Sequence, residues 1–436
     1  MTPAARIAAT VALLGEVAAA PRRPADATAN AFFRERRYIG SGDRRSVAER
    51  AWGVLRQRLR LDWHLAAGGM PATPRLLVMA YLLLVERWDR QGVLQAFPGG
   101  RFHAGPPDPG EMSVIEALDG HPLIDPEMPE GPRHNLPDWA LPGYRARFGD
   151  ELPAAAAAMD EAAPLDLRAN LLRGTREEAR AALAAEGIPA EPMPWSPWGL
   201  RVPDRRPILA SKAFTEGLIE IQDEGSQLIA LLTGARPGMR VADYCAGAAG
   251  KTLAVAAMMG NRGRITACDV SATRLEGAAR RLRRAGVDNA ERHLLAPGDR
   301  WARRRAGQFD RVLVDAPCTG AGTWRRNPDA RTRTTARDLG ELITKQRAIL
   351  DTAAELVRPG GRLVYATCSV LPEEDGMQVQ EFLSRHAGFV AVPLAEAWRE
   401  TMPEAGPPPC EGPWMELAPH SHGTDGFFAA VLQRQA

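Results

Sequence analysis

The chain has 436 residues, enough for two or three domains, and its 45% hydrophobic and 25% charged residues are the balance of an ordinary globular protein. No apolar run reaches the roughly 18 residues of a membrane span, so none is expected. A net charge of +2 sets up no global field toward nucleic acid. Five cysteines, with no CxxC pair and no clustered histidines, argue against a disulfide framework and a bound metal, and for a reducing cytoplasm.

Met1 to Ala20 is apolar and alanine-rich but carries Arg6 and Glu16, so it reads as an amphipathic helix rather than a signal peptide. Residues 1 to about 95 read as helix throughout, with a strong segment over Arg75–Asp89 behind Pro74. These periods make an all-α bundle, structural or RNA-binding. Residues 96 to about 150 are rich in Pro and Gly and read as a long connector, with Asn135–Trp139 as an aromatic anchor. A small α+β domain follows, with a strand at Leu165–Asn170 and a helix over Arg176–Glu186 that stops at Gly187. From Pro237-Gly238 onward, strands alternate with helices: the predicted strands end at Asp243, Asp269, Asp315 and Thr367. That pattern is a doubly wound α/β domain with a mainly parallel sheet. The expected domains are therefore 1–130, 131–235 and 236–436.

The chemistry-bearing residues sit just past these strands, where open α/β sheets place ligands. Cys318 lies in Asp315-Ala316-Pro317-Cys318-Thr319-Gly320, and Cys368 in Thr367-Cys368-Ser369. Neighbouring strands can bring both thiols to one cleft, although a lone cysteine is more often a core residue. The loop Cys245-Ala246-Gly247-Ala248-Ala249-Gly250-Lys251 joins the first strand to its helix, and its small residues allow close backbone approach to a ligand. It has neither P-loop nor dinucleotide spacing. With Asp269 positioned for a ribose diol, it suits NAD or S-adenosylmethionine. By itself Cys245 reads as a small filler under this loop. Lysine occurs only at Lys212, Lys251 and Lys345, so each is a candidate for a role that calls for a compact point charge. The arginine runs at 280–284 and 303–305 read as solvated helix faces, whereas Arg325 and Arg326 are placed to meet phosphate.

Four stretches, DYCAGAAGKT (243–252), DAPCTGAGTWRRNPD (315–329), YATCSVLPEEDG (365–376) and HSHGTDGFF (420–428), resemble the Nop/Sun family of RNA cytosine-5 methyltransferases. The likeness continues upstream through 137–149, 164–179 and 220–228, and residues 32–56 are similar to the NusB-like domain of the family's bacterial branch. The resemblance implies a Rossmann-like S-adenosylmethionine-dependent methyltransferase domain. It also implies an RNA substrate, small-subunit ribosomal RNA before transfer RNA, with no membrane and no obligate protein partner. It assigns Cys368 as nucleophile and Cys318 as the group that resolves the adduct. Asp315 would meet the cytosine edge, with Lys251 beside it. The loop at 245–251, Asp269, Asp299 and Asp315 would hold the cofactor. In two places the chain departs from the family. The usual CAAPGGKT is CAGAAGKT here, and the Glu-Asn after the second cysteine motif is Glu374-Asp375. The altered loop keeps open a non-catalytic RNA-binding factor on the same fold. A dehydrogenase would leave the paired cysteines unexplained.

Overall fold

A computed structural model describes residues 1–100, 103–203 and 206–436. The chain divides into two compact units: Met1–Glu161 with Thr323–Ala336, and Ala162–Gly322 with Arg337–Ala436. Among the described residues no helix is long and apolar enough to cross a membrane.

The first unit is helical. Its helices include Pro3–Ala19, Ala25–Glu35, Ser41–Arg56, Arg58–Ala67 and Pro74–Leu84. Thr2 and Thr73 cap the first and last of these, each before a proline in the opening turn. One core holds them together, with Leu13, Phe32, Val47, Val54, Leu61, Val78 and Leu82 excluded from solvent. The helix expected over Arg75–Asp89 stops early. Arg87 takes a left-handed backbone (φ 59°), and Asp89 caps a new helix, Arg90–Ala96. The expected connector is also more ordered than its composition suggests, for Pro109–Leu118 and Leu141–Phe148 are helices within it. The first of these opens on a capping box, in which Asp108 accepts from Glu111 N and Glu111 accepts from Asp108 N. That signal is in the sequence, obscured by the surrounding prolines.

Thr323–Ala336, which follows the Cys318 loop in sequence, belongs to this first unit. Trp324 is fully buried, stacked on Tyr144 with ring centroids 5.5 Å apart and edge-on to Trp139. Arg331 spans the Asp160 carboxylate at 2.7 Å and the Met159 carbonyl at 3.2 Å. Asp160 also accepts from Arg60 and Asn135, both at 2.7 Å.

The second unit contains two sheets. Strands β1 (Leu165–Ala169), β2 (Glu191–Pro192), β3 (Gly199–Val202) and β4 (Ile219–Ile221) form an antiparallel sheet in the order β2-β3-β1-β4. Then come β5 (Arg240–Asp243), β6 (Arg264–Asp269), β7 (Ala290–Leu294), β8 (Phe309–Asp315), β9 (Val357–Thr367), β10 (Phe389–Val392), β11 (Met415–Leu417) and β12 (Phe427–Arg434). Their order is β10-β12-β9-β8-β5-β6-β7, with β11 paired to β12. β5 to β9 are mutually parallel, while β12 runs antiparallel to both β9 and β10. This is the mainly parallel, doubly wound sheet expected, with an antiparallel edge that the periodicity did not reveal. Val312, Leu313 and Val314 are fully buried in β8, as a strand covered on both faces requires.

Asp160 is the ionic centre of the first unit, facing Arg60 and Arg331 that are themselves 8% and 2% exposed. Removing its charge strands two buried guanidinium groups. Asp160→Ala should therefore lower stability by about 3–5 kcal/mol, read as a drop in the thermal midpoint followed by circular dichroism.

Candidate active site

Strand register builds the site. Asp315 of β8 pairs with Ala366 of β9, and Asp243 of β5 pairs with Leu313 of β8, so the carboxyl ends of three adjacent strands are nearly level. The loops that leave these ends carry Cys318, Cys368 and the 245–251 segment.

The two cysteine sulfurs are 3.4 Å apart. Backbone bonds join their loops, since Gly322 N donates to Cys368 O at 3.0 Å and Gly426 N donates to Gly322 O at 2.7 Å. A methyl group on Gly322 would lie 2.1 Å from the Gly426 carbonyl, so the contact requires glycine. The hydrogen bond to Cys368, then burial, pushes the Cys318 thiol well above its usual range. On either side of Cys318 the backbone is held through Glu374, which is fully buried. Its carboxylate accepts from Thr319 N at 2.9 Å and Thr319 Oγ1 at 2.5 Å, and from Gln346 Nε2 at 3.0 Å. Gln346 Nε2 also donates to Pro317 O at 3.0 Å. Asp375 accepts from Thr367 Oγ1 at 2.5 Å, so an acid serves where the resembling family has asparagine.

Lys251 Nζ donates to Asp315 Oδ2 at 2.7 Å and lies 5.9 Å from the centre of the Phe427 ring. Burial opposes its charge, but the Asp315 carboxylate more than offsets this, and the ammonium is held above the usual lysine range, with a further contribution from Cys368. Lys251, Asp315 and the two cysteines thus form one cluster.

On the cofactor side, Asp269 Oδ2 accepts from Gly247 N at 2.8 Å and its Oδ1 from Ser271 N at 2.7 Å. Each oxygen keeps a lone pair for a ribose hydroxyl. Ala249 is buried with a left-handed backbone (φ 63°) against Leu253, Ala278 and Leu282. Beneath the loop, Asp243 accepts from Thr252 Oγ1 at 2.6 Å, and its second oxygen is buried without a partner. A side chain at Gly247 would meet open space. Val270 and Leu294 are 66% and 44% exposed, and Leu294 pairs with Asp269 across β6 and β7. Loop, acid and apolar surface together suit a nucleoside carrying a sulfonium side chain. The apolar pair was missed in the sequence, where its signal is a large aliphatic residue directly after a strand-end acid.

The remaining expected residues have these surroundings. Asp299 shares a hydrogen bond with His293 Nε2 of β7 at 2.6 Å and accepts from Trp301 N at 2.8 Å. The histidine bond holds its carboxyl below the usual range. Arg325 and Arg326 lie in the first unit. Arg325 is buried, 6% exposed, which does not suit the phosphate contact expected of it, and Arg326 is half-buried. Arg281 and Arg284, read as solvated, are half-buried and paired with Glu220. Cys245 is half-buried against the apolar core beneath the sheet, and burial raises its thiol.

A mainly parallel, doubly wound sheet with an open loop and an acid after its first two strands defines a Rossmann-like nucleoside-binding domain. Residues 230–433 match the family described as 16S rRNA methyltransferase RsmB/F, and residues 136–209 match its ferredoxin-like domain. The chain is 30% identical over 414 residues to the probable ribosomal RNA small subunit methyltransferase B of Synechocystis, covering 90% of this chain and 91% of that one. Ribosomal RNA small subunit methyltransferase B of Pectobacterium carotovorum is 28% identical over 412 residues, covering 91% and 92%. The crystal structure of PH0851 superposes with a TM-score of 0.76 at 26% identity over 100% of this chain and 99% of that one. The chain belongs to the RsmB/F family of RNA methyltransferases.

Burial raises the Asp243 carboxyl from 3.8 to about 7. A carboxyl raised on folding contributes stability that is complete below the unfolded value and is lost as pH climbs through the folded one. Unfolding free energy should therefore fall between about pH 4 and pH 7 on account of Asp243. Asp243→Asn stays neutral and can still accept from Thr252. Denaturant titrations across that range should show a shallower fall in the variant.

Proposed function

We propose that the protein forms 5-methylcytosine in small-subunit ribosomal RNA through a covalent adduct between Cys368 and C6 of the target cytosine. The observation that carries this reading is the pair of sulfurs 3.4 Å apart beside the Lys251–Asp315 ion pair. The ribosomal substrate rests on the names of the relatives above. The residues at 245–251, with Asp269, would hold S-adenosylmethionine, which supplies an electrophilic methyl group when bound. Asp315 would also border that site.

Cytosine C5 is a poor nucleophile. Addition of the Cys368 thiolate to C6 breaks the C5–C6 double bond and raises electron density at C5. The Asp315 carboxylate can accept from the exocyclic amine of the base and from the ring nitrogen once it is protonated. Lys251 pairs with Asp315 at 2.7 Å and sets a positive charge close to Cys368. Cys318 and Cys368 share a hydrogen bond at 3.4 Å. When the Cys368 sulfur is bonded to carbon, it is no longer a thiol partner for Cys318. Cys318 can then release its proton to solvent and take the C5 proton, and Cys368 leaves as the double bond re-forms. Glu374 and Gln346 hold Cys318 in place for this step. A base buried in a stack cannot reach either sulfur, so the target must be unpaired or extruded. Arg326 is left as the candidate phosphate contact of the 325–326 pair.

Methyl transfer from labelled S-adenosylmethionine to protein-free small-subunit RNA, with bisulfite mapping of the product, tests the reaction. One modified cytosine is expected, and label at an adenine, a ribose or nowhere would overturn the reading. Cys368→Ala should abolish transfer. Cys318→Ala should instead leave protein covalently bound to RNA on a denaturing gel, because addition proceeds while elimination fails. Absence of that adduct would refute the division of roles between the two cysteines.

A further inference from the structure

We propose that Arg281, on the helix Ala272–Ala285, is a positioning residue for the cofactor loop, fixing the loop backbone from outside the binding face. The proposal rests on the reading that residues 245–251 hold S-adenosylmethionine, and it adds a residue that neither the motif nor the strand ends indicate.

The loop contains no proline, Gly247 sits at φ 55°, and Ala249 holds a left-handed conformation that a residue with a Cβ adopts only at a cost. One backbone bond within the loop, Ala249 N to Ala246 O at 2.8 Å, supports this conformation, and contacts from outside add to it. Asp269 restrains it from the cofactor side through Gly247 N. From the other side, Arg281 Nη1 donates to Ala248 O at 2.9 Å. The carbonyl bonded is the one directly before the strained Ala249. The second arm of the same guanidinium, Nη2, donates to Glu220 Oε2 at 3.0 Å.

Glu220 lies on β4 and its side chain is only 3% exposed, so it is a fixed anchor rather than a mobile surface acid. Its other oxygen accepts from Arg284, one helical turn further along, and Arg284 lies 3.7 Å over the Phe214 ring. Arg168, on β1 and 1% exposed, adds a longer contact from Nη1 to Gly250 O at 3.4 Å. The loop carbonyls on both sides of Ala249 are thus held by guanidinium groups, and that of Arg281 is anchored on a buried carboxylate. The helix itself is seated by Asn170, which donates to Gly217 O and to Ala285 O at its last turn. The antiparallel sheet thereby sets where Arg281 reaches the loop.

A planar fork is needed for this role. Only arginine can address a backbone carbonyl and a carboxylate at the same time in a fixed geometry, whereas lysine offers one compact charge. Arg280, the preceding residue, is exposed and serves as the control on the same helix.

The test is titration calorimetry of the full chain with S-adenosylmethionine, together with KM for RNA and the thermal midpoint. Arg281→Ala should weaken cofactor binding about tenfold, the loss of one charge-assisted hydrogen bond. The KM for RNA should stay near wild type, while the midpoint falls modestly because Glu220 keeps only Arg284 as partner. Arg281→Lys should fall between the two, and Arg280→Ala should match wild type. Unchanged cofactor affinity in Arg281→Ala would overturn the proposal. A parallel loss of RNA affinity and midpoint would overturn it as well, by showing a general structural role. If Arg281→Ala does not fold, Arg281→Lys decides, and wild-type affinity in it refutes the need for a fork. Wild-type protein that fails to bind S-adenosylmethionine would instead defeat the cofactor reading itself.

Discussion

The site depends on the parallel pairing of β8 with β9. This pairing sets Asp315 level with Ala366, so that the loops after both strands leave the sheet at the same height. One residue of slip would move the strand-end acid and turn the residues of either strand to the opposite face. The pairing is secured by Val312, Leu313, Leu363 and Val364, all fully buried, rather than by the site residues. Packing therefore fixes the geometry, and the polar groups of the site are free to be chosen for chemistry.

Placing a lysine, carboxylates and two thiols at a largely buried sheet end is costly unless each group is matched. The structure matches them in sequence. Lys251 is compensated by Asp315, and Asp243 can stay neutral because burial lifts it to about 7. Glu374 receives three donated hydrogen bonds, and all of them come from groups that also shape the Cys318 loop. Satisfying the buried acid and positioning the cysteine are one and the same arrangement. This explains why two cysteine motifs far apart in sequence act as a single structural element.

Much of this was legible in the sequence because it lies on strands whose apolar runs end abruptly. The runs ending at Asp243, Asp269, Asp315 and Thr367 are strands β5, β6, β8 and β9. Partners reached across the fold were not legible. Glu220 pairs with Arg281 and Arg284 from another sheet, and nothing local marks those arginines off from Arg280 and Arg283 on the same helix. β7 was missed because its residues are half-exposed and charged, Ala-Glu-Arg-His-Leu, with no apolar run to read. The helix Pro109–Leu118 was missed for the opposite reason: strong local capping was outweighed by proline in the surrounding composition. Arg325 looked available because it follows the Cys318 loop, but it belongs to a segment that packs in the helical unit.

The near-exclusive use of arginine for positive charge sharpens the meaning of Lys251. Several buried or half-buried arginines elsewhere work as forks. Arg50 takes both oxygens of Glu86, Arg201 takes both oxygens of Asp166, and Arg331 spans Asp160 and a carbonyl. Each fork uses a planar set of donors to lock two acceptors in place. At Asp315 such a lock would engage both carboxylate oxygens and crowd the edge that a base would approach. A lysine delivers the same charge through one atom, at 2.7 Å from Oδ2. The side chain of Asp315 stays one-third exposed in this pair. A contact through one atom leaves the other oxygen of Asp315 open towards the proposed substrate, and this distinguishes the proposed catalytic cluster from the bidentate ion pairs of the chain.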